Sequence, residues 1–505
     1  MVASTAMFTA KTTPSQVTMA AVSPNTNKVP VIAAKKKALF GIDVLKGEKF
    51  SQIRHKNVGL LTNVSGVDNQ GNSTAIIFAD SKEFTLKAVF FPEHDGMLPS
   101  QTLAHLKDKK IPTYCTHSDQ TGRRTPEDAW LKGLDVMVID LQGFGMRYYT
   151  YYASALYVMG TCFNNRIPVL VLDRPNPLGN YLGGPSIAGD YVSFLGPISG
   201  MPLFYPLTLG EFLNFIHKRG QTINIPCKTC TKPNCLHTVH CDAATLKKGD
   251  LKIVECKNYR RCDTFLDLGC YQKNSSLSLS PNIPNVASIF EYAITSLSTL
   301  VNQDTLGCLY FLTNPQDPKQ SFKYIYSPYR DANSLLSAIK RYPDALKGCR
   351  LDIVTINDKG VSKNCIRVEV TDFKSTVPAL LSLVLLSEMQ EIVPDRDWDD
   401  FLKKQELRTP KNIDVIATAK AHDLKKLPLI YQKELRKAKW DRLSDDPKVQ
   451  QQKKMLFCKH AGDAEFVAKI FNGESIDIDY FRKKWARESE AFLKELQKYE
   501  IKAYH

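Results

Sequence analysis

The chain has 505 residues, 43% of them hydrophobic and 24% charged, with 67 Lys and Arg against 52 Asp and Glu for a formal net charge of +15. That much apolar sequence builds a sizeable core and favours two to three domains, which excludes a wholly disordered chain. The longest apolar run, around Val377 to Leu386, is too short to cross a bilayer, so no membrane span is expected.

Residues 1–37 contain neither acid nor Arg and are rich in Ser, Thr, Ala and Lys, the composition of a basic tail that is disordered or bound to a partner. Lys37 to Asp43 opens the first folded region, and Asn57 to Asn63 (NVGLLTN) reads as a strand. A helical stretch, Ser73 to Lys82, leads into KAVFFPEHDG, Lys87 to Gly96. There Leu86 and Ala88 to Phe91 form an apolar run that meets Pro92 and then presents Glu93, His94 and Asp95. Leu98 to Lys109 reads as a helix and Ile111 to Tyr114 as a short strand, while Thr125, Pro126 and Glu127 supply an N-cap, a first-turn proline and a first-turn acid. The apolar run ending in an acid recurs as VMVID, Val136 to Asp140, and VLVLD, Val169 to Asp173. Continuous apolar runs mark parallel strands buried on both faces, and open α/β sheets bind ligands at the carboxyl ends of their strands. Glu93, Asp140 and Asp173 are therefore expected to face one crevice. Strands alternating with helices from about Ala38 to Gly210 predict an α/β fold with a doubly wound, mostly parallel sheet.

After Asp140 comes LQGFGMRYYTYY, Leu141 to Tyr152. Gly143 and Gly145 allow a tight turn and close approach to a ligand, and Arg147 beside Tyr148, Tyr149 and Tyr151 offers a guanidinium fork among aromatic faces, which suits an acidic sugar. The same tyrosines also read as the buried face of a helix, Tyr149 to Phe163. A dinucleotide fingerprint would need a third glycine, so a nicotinamide cofactor is excluded. Asp173 is followed by Arg174, Pro175, Asn176 and Pro177, a rigid turn; the Asp-Arg pair reads either as part of a site or as a structural ion pair. Thr208 to Glu211 matches a capping box opening a helix from Gly210 to Lys218, which gives Glu211 a structural reading. Between Cys227 and Cys241, the residues Cys227, Cys230, Cys235, His237, His240 and Cys241 have the types and closeness of a zinc site, and read either as structural zinc ligands or as reduced thiols in a loop.

Composition shifts near Lys252. Ser280 to Pro284 (SPNIP) is a rigid loop, Val286 to Leu300 a helix, Cys308 to Leu312 a strand, and Arg350 to Ile356 and Asn364 to Val370 two strands joined through Asp358 to Gly360. Val377 to Ile392 reads as a buried helix. From Trp398 the chain is helical and basic, closing with an amphipathic helix whose Phe481, Trp485, Phe492 and Leu496 recur at helical spacing as core residues. The expected organisation is a tail, 1–37; a sheet domain, 38–250, with the Cys/His-rich insertion at 227–241; a smaller α+β domain, 251–395; and a basic helical region, 396–505, packing on the second domain. The positive excess favours an acidic partner, but no arginine-rich or RNP-like aromatic motif accompanies it, so nucleic acid is disfavoured. Thirteen cysteines, an odd number spread along a chain with no apolar segment at its start, lead us to expect reduced thiols and a cytoplasmic location.

PEHD at Pro92, DLQGFGMRYYTY at Asp140, LDRPNPLG at Leu172, GGP at Gly183, TLGE at Thr208 and SPNIP at Ser280 follow one another in an order that resembles the exo-β-N-acetylmuramidase (NamZ-type) family of bacterial peptidoglycan-recycling hydrolases. CIRVEVTDF at Cys365 and the closing Trp485 helix extend the resemblance from about Ala38 to the C-terminus. It implies a Rossmann-like domain joined to a smaller α+β domain, with the active site in the cleft between them and no cofactor required. It implies removal of terminal β-linked N-acetylmuramic acid, an acidic amino sugar, with Glu93 as catalytic acid or base beside His94. Asp140 or Asp173 would supply the second carboxylate that glycoside hydrolysis usually needs. Arg147 would hold the lactyl carboxylate, with Tyr149, Tyr151, Arg174, Asn176 and Asn282 lining the substrate. The chain departs from the family at Asp95 and Pro206, where glycines are usual, and in Tyr292 to Thr313, which lacks the family's Glu and its serine-glycine-arginine-glycine-threonine loop. Two readings follow: an active glycosidase, or a degenerate relative acting as a structural or binding protein on an acidic assembly such as microtubules, and then associated with the cytoskeleton.

Overall fold

A computed structural model describes residues 38–92, 98–118, 122–226, 238–264, 267–268, 279, 283, 288–301, 310–311, 322–358, 360–408 and 413–501. The apolar runs form the strands they predict: β1 Asn57–Thr62, β2 Thr85–Phe91, β3 Thr113–Cys115, β4 Val136–Asp140 and β5 Val169–Leu172. Two further strands, β6 Ile223–Pro226 and β7 Thr238–Cys241, pair with each other as a small antiparallel ribbon. With β8 Leu251–Val254, the first five make a six-stranded parallel sheet in the order β3-β2-β1-β4-β5-β8. Both β4 and β5 are buried along their whole length, as their unbroken apolar sequence requires. The chain moves outward from β1 through β2 to β3, then returns to β4 on the other side of β1, so the winding reverses between β1 and β4. Since β8 lies past residue 250, the first sheet extends into what composition alone assigns to the second domain.

Helices Thr74–Asp80, Ser100–Asp108, Tyr151–Asn164 and Leu209–Arg219 cover the sheet. The helix Tyr151–Asn164 is buried from Tyr151 through Phe163, because Ala153, Ala155 and Gly160 let its neighbours close on every side. Leu209–Arg219 begins with the capping box that the sequence shows, Thr208 Oγ1 accepting from the Glu211 amide and the Glu211 carboxylate from the Thr208 amide. The signal at Thr125 is displaced: that helix is Asp128–Leu131, with Glu127 rather than Thr125 at its N-cap.

A second, antiparallel sheet contains β9 Tyr310–Phe311, β10 Tyr324–Tyr326, β11 Cys349–Asp358 and β12 Val361–Val370 in the order β11-β12-β10-β9. Its long hairpin pairs Cys349 with Val370 through to Asp358 with Val361, and Gly360, at φ +85°, turns the chain between its arms. Helices Ile289–Val301 and Pro378–Glu391 lie together beside it.

The helical C-terminal region spans Asp395 to Lys498. It is fastened to the end of Pro378–Glu391 by a buried lysine: Lys439 Nζ donates to the carbonyls of Met389, Gln390 and Ile392 at 2.8, 2.8 and 3.1 Å, while Trp440 Nε1 donates to Gln390 Oε1. A cation at a helix C-terminus satisfies its last carbonyls and its dipole together. The region also grips the first sheet's loops, through Tyr148 OH donating to the His460 carbonyl at 2.6 Å and the Ser186 amide donating to Glu488. It therefore packs more widely than on the second domain alone. In the closing helix Phe481, Trp485, Phe492 and Leu496 are core, as their spacing indicates. Among the described residues no helix is long and apolar enough to cross a membrane.

Candidate active site

The reversal between β1 and β4 marks the place where open sheets bind ligands, at the carboxyl ends of the strands. Leu61 lies level with Phe90 of β2 and Thr62 with Asp140 of β4, so Asn63 is the first residue beyond the paired part of β1, flanked by Pro92 and Leu141. Glu93 and His94, which follow Pro92, and Asn282 lie outside the described residues.

Asp140 is wholly buried and bound on both oxygens. Arg174 reaches it through Nε to Oδ1 at 2.6 Å and Nη2 to Oδ2 at 2.9 Å, and Thr74 Oγ1 donates to Oδ2 at 2.6 Å. The same guanidinium donates to the Val67 carbonyl and lies over the Phe40 ring at 4.7 Å. Arg174 thus joins the turn after β5 to the end of β4, and its partner is Asp140, not the adjacent Asp173. Asp173 accepts from Thr208 Oγ1 at 2.6 Å, from the Gly210 amide at 2.9 Å and from the Arg174 amide at 3.0 Å. It anchors the N-terminus of Leu209–Arg219, where backbone donors and the helix dipole favour an anion. Asn176 spends its amide on the Leu178 backbone and on the carbonyls of Tyr205 and Leu207. Asp140, Asp173, Arg174 and Asn176 are brought together, as the strand-end pattern suggests, but their hydrogen bonds go to the protein frame.

Arg147 is also fully buried. Its Nη2 donates to the Pro185 carbonyl at 3.0 Å, Nε and Nη1 meet no acceptor, and no carboxylate pairs with it among the described residues. Burial pushes the guanidinium below its usual range, partly offset by Tyr148, Tyr152 and Tyr205. Tyr149 and Tyr151 are buried with ring centroids 4.7 Å apart, the Tyr149 ring lies tilted against Phe144, and its hydroxyl donates to the Leu279 carbonyl, which are the contacts of packed residues. Gly145 is needed, at φ +64°, because a Cβ there would stand 2.0 Å from the Tyr205 carbonyl oxygen; the close approach it permits is to backbone rather than to a ligand.

Of the zinc candidates, Cys227, Cys230, Cys235 and His237 lie outside the described residues, as does the side chain of His240. Cys241 belongs to the hydrophobic core, and burial pushes its thiol up to about 11.

Three polar residues at this edge escaped the sequence reading: Asn63, Ser65 and Gln142. Asn63 Oδ1 accepts from the Ser65 amide at 2.9 Å and from Ser65 Oγ at 2.5 Å; Ser65 Oγ in turn accepts from the Gln142 amide at 3.1 Å; and Gln142 Nε2 donates to the Pro175 carbonyl at 2.8 Å. Their signal was present, since LLTN is another apolar run closed by a polar residue.

Residues 58–287 match the family model described as exo-beta-N-acetylmuramidase NamZ, N-terminal. The chain is 31% identical over 287 residues to the peptidoglycan beta-N-acetylmuramidase NamZ of Bacillus subtilis, covering 56% of this chain and 61% of that relative. The matched stretch thus spans about three-fifths of the relative's length. Two crystal structures of DUF1343 family proteins from Bacteroides fragilis share the fold. One has a TM-score of 0.65 at 21% identity, covering 93% of this chain and 99% of its own; the other has 0.51 at 19%, covering 92% and 98%. The resemblance drawn from PEHD, RYYTY and DRPNP is borne out over the sheet region, and so is the fold class.

Proposed function

We propose that the protein is a glycoside hydrolase that removes a terminal β-linked N-acetylmuramic acid, with Glu93 as its acid or base. The observation that carries this reading is the family match over 58–287, which takes in the reversal point of the sheet and the strand that Glu93 follows. Glycoside hydrolysis needs a proton delivered to the leaving oxygen, and a carboxyl beside a buried strand end suits that task. Asp140 and Asp173, held by Arg174, Thr74 and Thr208, serve in this reading as the rigid frame. Arg147, with two N–H groups lacking acceptors, is the group suited to the sugar's carboxylate. The test is release of chromophore from a chromogenic β-N-acetylmuramide by the purified protein and by Glu93→Gln. Release that disappears in the variant supports the assignment; no release by the folded parent protein refutes it and leaves the basic surface to be read as a binding face.

A further inference from the structure

We infer that Asn63 binds substrate, its amide NH2 donating a hydrogen bond to the carbonyl oxygen of the sugar's acetamido group; the inference rests on the glycosidase reading above. Asn63 stands at the carboxyl end of β1, at the reversal point, with Pro92 on one side and Leu141 on the other. Its Oδ1 is fixed by two hydrogen bonds from Ser65, whose hydroxyl is itself held by the Gln142 amide. The two ends of a side-chain amide lie on opposite sides of Cγ, so Nδ2 faces away from the Ser65 turn. There it is buried and has no acceptor. A buried donor without a partner is costly, and a fold keeps one where a ligand supplies the acceptor.

The chemistry of the acceptor follows from the surroundings. Asn63 is neutral, and among the described residues the Asp140 charge on the neighbouring strand is compensated by Arg174, so a neutral acceptor suits its amide. Among the oxygens of an N-acetylated acidic sugar, the carboxylate belongs with a cation, and the amide carbonyl is the strongest neutral acceptor left. A site that hydrogen-bonds a particular group rejects the analogue lacking it, because its own polar group is then stranded.

The experiment compares binding of free N-acetylmuramic acid and of muramic acid, which lacks the acetyl group, to the parent protein, Asn63→Asp and Ser65→Ala. Asn63→Asp keeps the acceptor that Ser65 uses and replaces the donor by a second acceptor; if it does not fold, Asn63→Ser is read in the same way. The parent should prefer the acetylated sugar, Asn63→Asp should lose about tenfold or more of that preference, and Ser65→Ala, which loosens the turn but keeps the donor, should retain it. A folded Asn63 variant with the parent's preference overturns the inference while leaving the glycosidase reading intact. A parent protein that binds neither sugar and hydrolyses no muramide overturns that reading and the Asn63 assignment with it.

Discussion

Arg174→Met tests whether Asp140 is a frame residue or a reacting one. The substitution removes two charged hydrogen bonds to Asp140, one to the Val67 carbonyl and the stacking on Phe40, and leaves Asp140 buried with Thr74 Oγ1 still donating to it. Stranding one partner of a buried ion pair costs about 3–5 kcal/mol. A chain of this length unfolds with an entropy of roughly 1 kcal/mol per kelvin, so the melting temperature should fall by about 3–5 °C, with a matching loss in urea titration. Asp140→Asn should also destabilise, because it strands Arg174. The double variant should be less damaged than Arg174→Met alone, since no unpaired charge is then buried. An Arg174→Met protein within about 1 kcal/mol of the parent would refute the frame assignment. So would an Asp140→Asn protein of parental stability that has lost hydrolysis, because that is how a catalytic carboxylate behaves.

Gly145→Ala should cost about 3 kcal/mol or prevent folding, since the new Cβ would meet the Tyr205 oxygen at 2.0 Å in a left-handed backbone; expression and thermal melting read the outcome. Two buried groups should also pull stability in opposite directions over nearly the same pH range. Burial holds His460 down to about 4, so the unfolded chain takes up a proton below its ordinary 6.5 that the folded chain refuses. The stability present above pH 6.5 is then lost as pH falls toward 4, by at most about 3 kcal/mol. Burial raises Glu291 to about 7 despite Lys323 at 3.9 Å, so its contribution is full below pH 4.5 and is lost as pH rises through 7, by a similar amount. Because the two windows overlap, the contributions largely cancel in the parent; urea titrations at several pH values should show stability falling from pH 4.5 to 7 in His460→Asn, where Glu291 acts alone, and rising from pH 4 to 6.5 in Glu291→Gln, where His460 acts alone, and profiles unchanged by these substitutions would contradict the assignment.

The sheet was legible because its strands are apolar throughout. VMVID and VLVLD have no second period to confuse them, and parallel pairing on both faces demands such runs. The helix cap at Thr208 was legible for a local reason, since a capping box is complete within four residues. What each strand-end acid does was not legible. The sequence sets Asp173 beside Arg174, yet the guanidinium crosses to Asp140, 34 residues away in the chain, and Asp173 turns to a helix N-terminus instead. Pairing across strands depends on which strands are neighbours, and the order β1-β4-β5 is a property of the winding rather than of any one segment. The tyrosines after Arg147 posed the same difficulty: their types suit a sugar, and only the packing of Phe144 and Leu279 against them shows where their surfaces are spent.

This division of labour bears on mechanism. A glycosidase crevice must hold its groups to within a fraction of an ångström, and a buried, mutually satisfied network at the strand ends provides that rigidity. Asp140, Arg174, Asp173 and Thr208 form such a network, joining the ends of β4 and β5 to the start of Leu209–Arg219. Two of the three strand-end acids are thereby committed, and the acid-base chemistry proposed for this protein falls to Glu93. A hydrolysis that uses two carboxylates would have to draw the second from beyond the sheet. If the chromogenic muramide is cleaved, the anomeric configuration of the released sugar separates the two possibilities. Retention requires a nucleophile within about 5.5 Å of Glu93, whereas inversion requires only a base positioned to activate water across a wider gap.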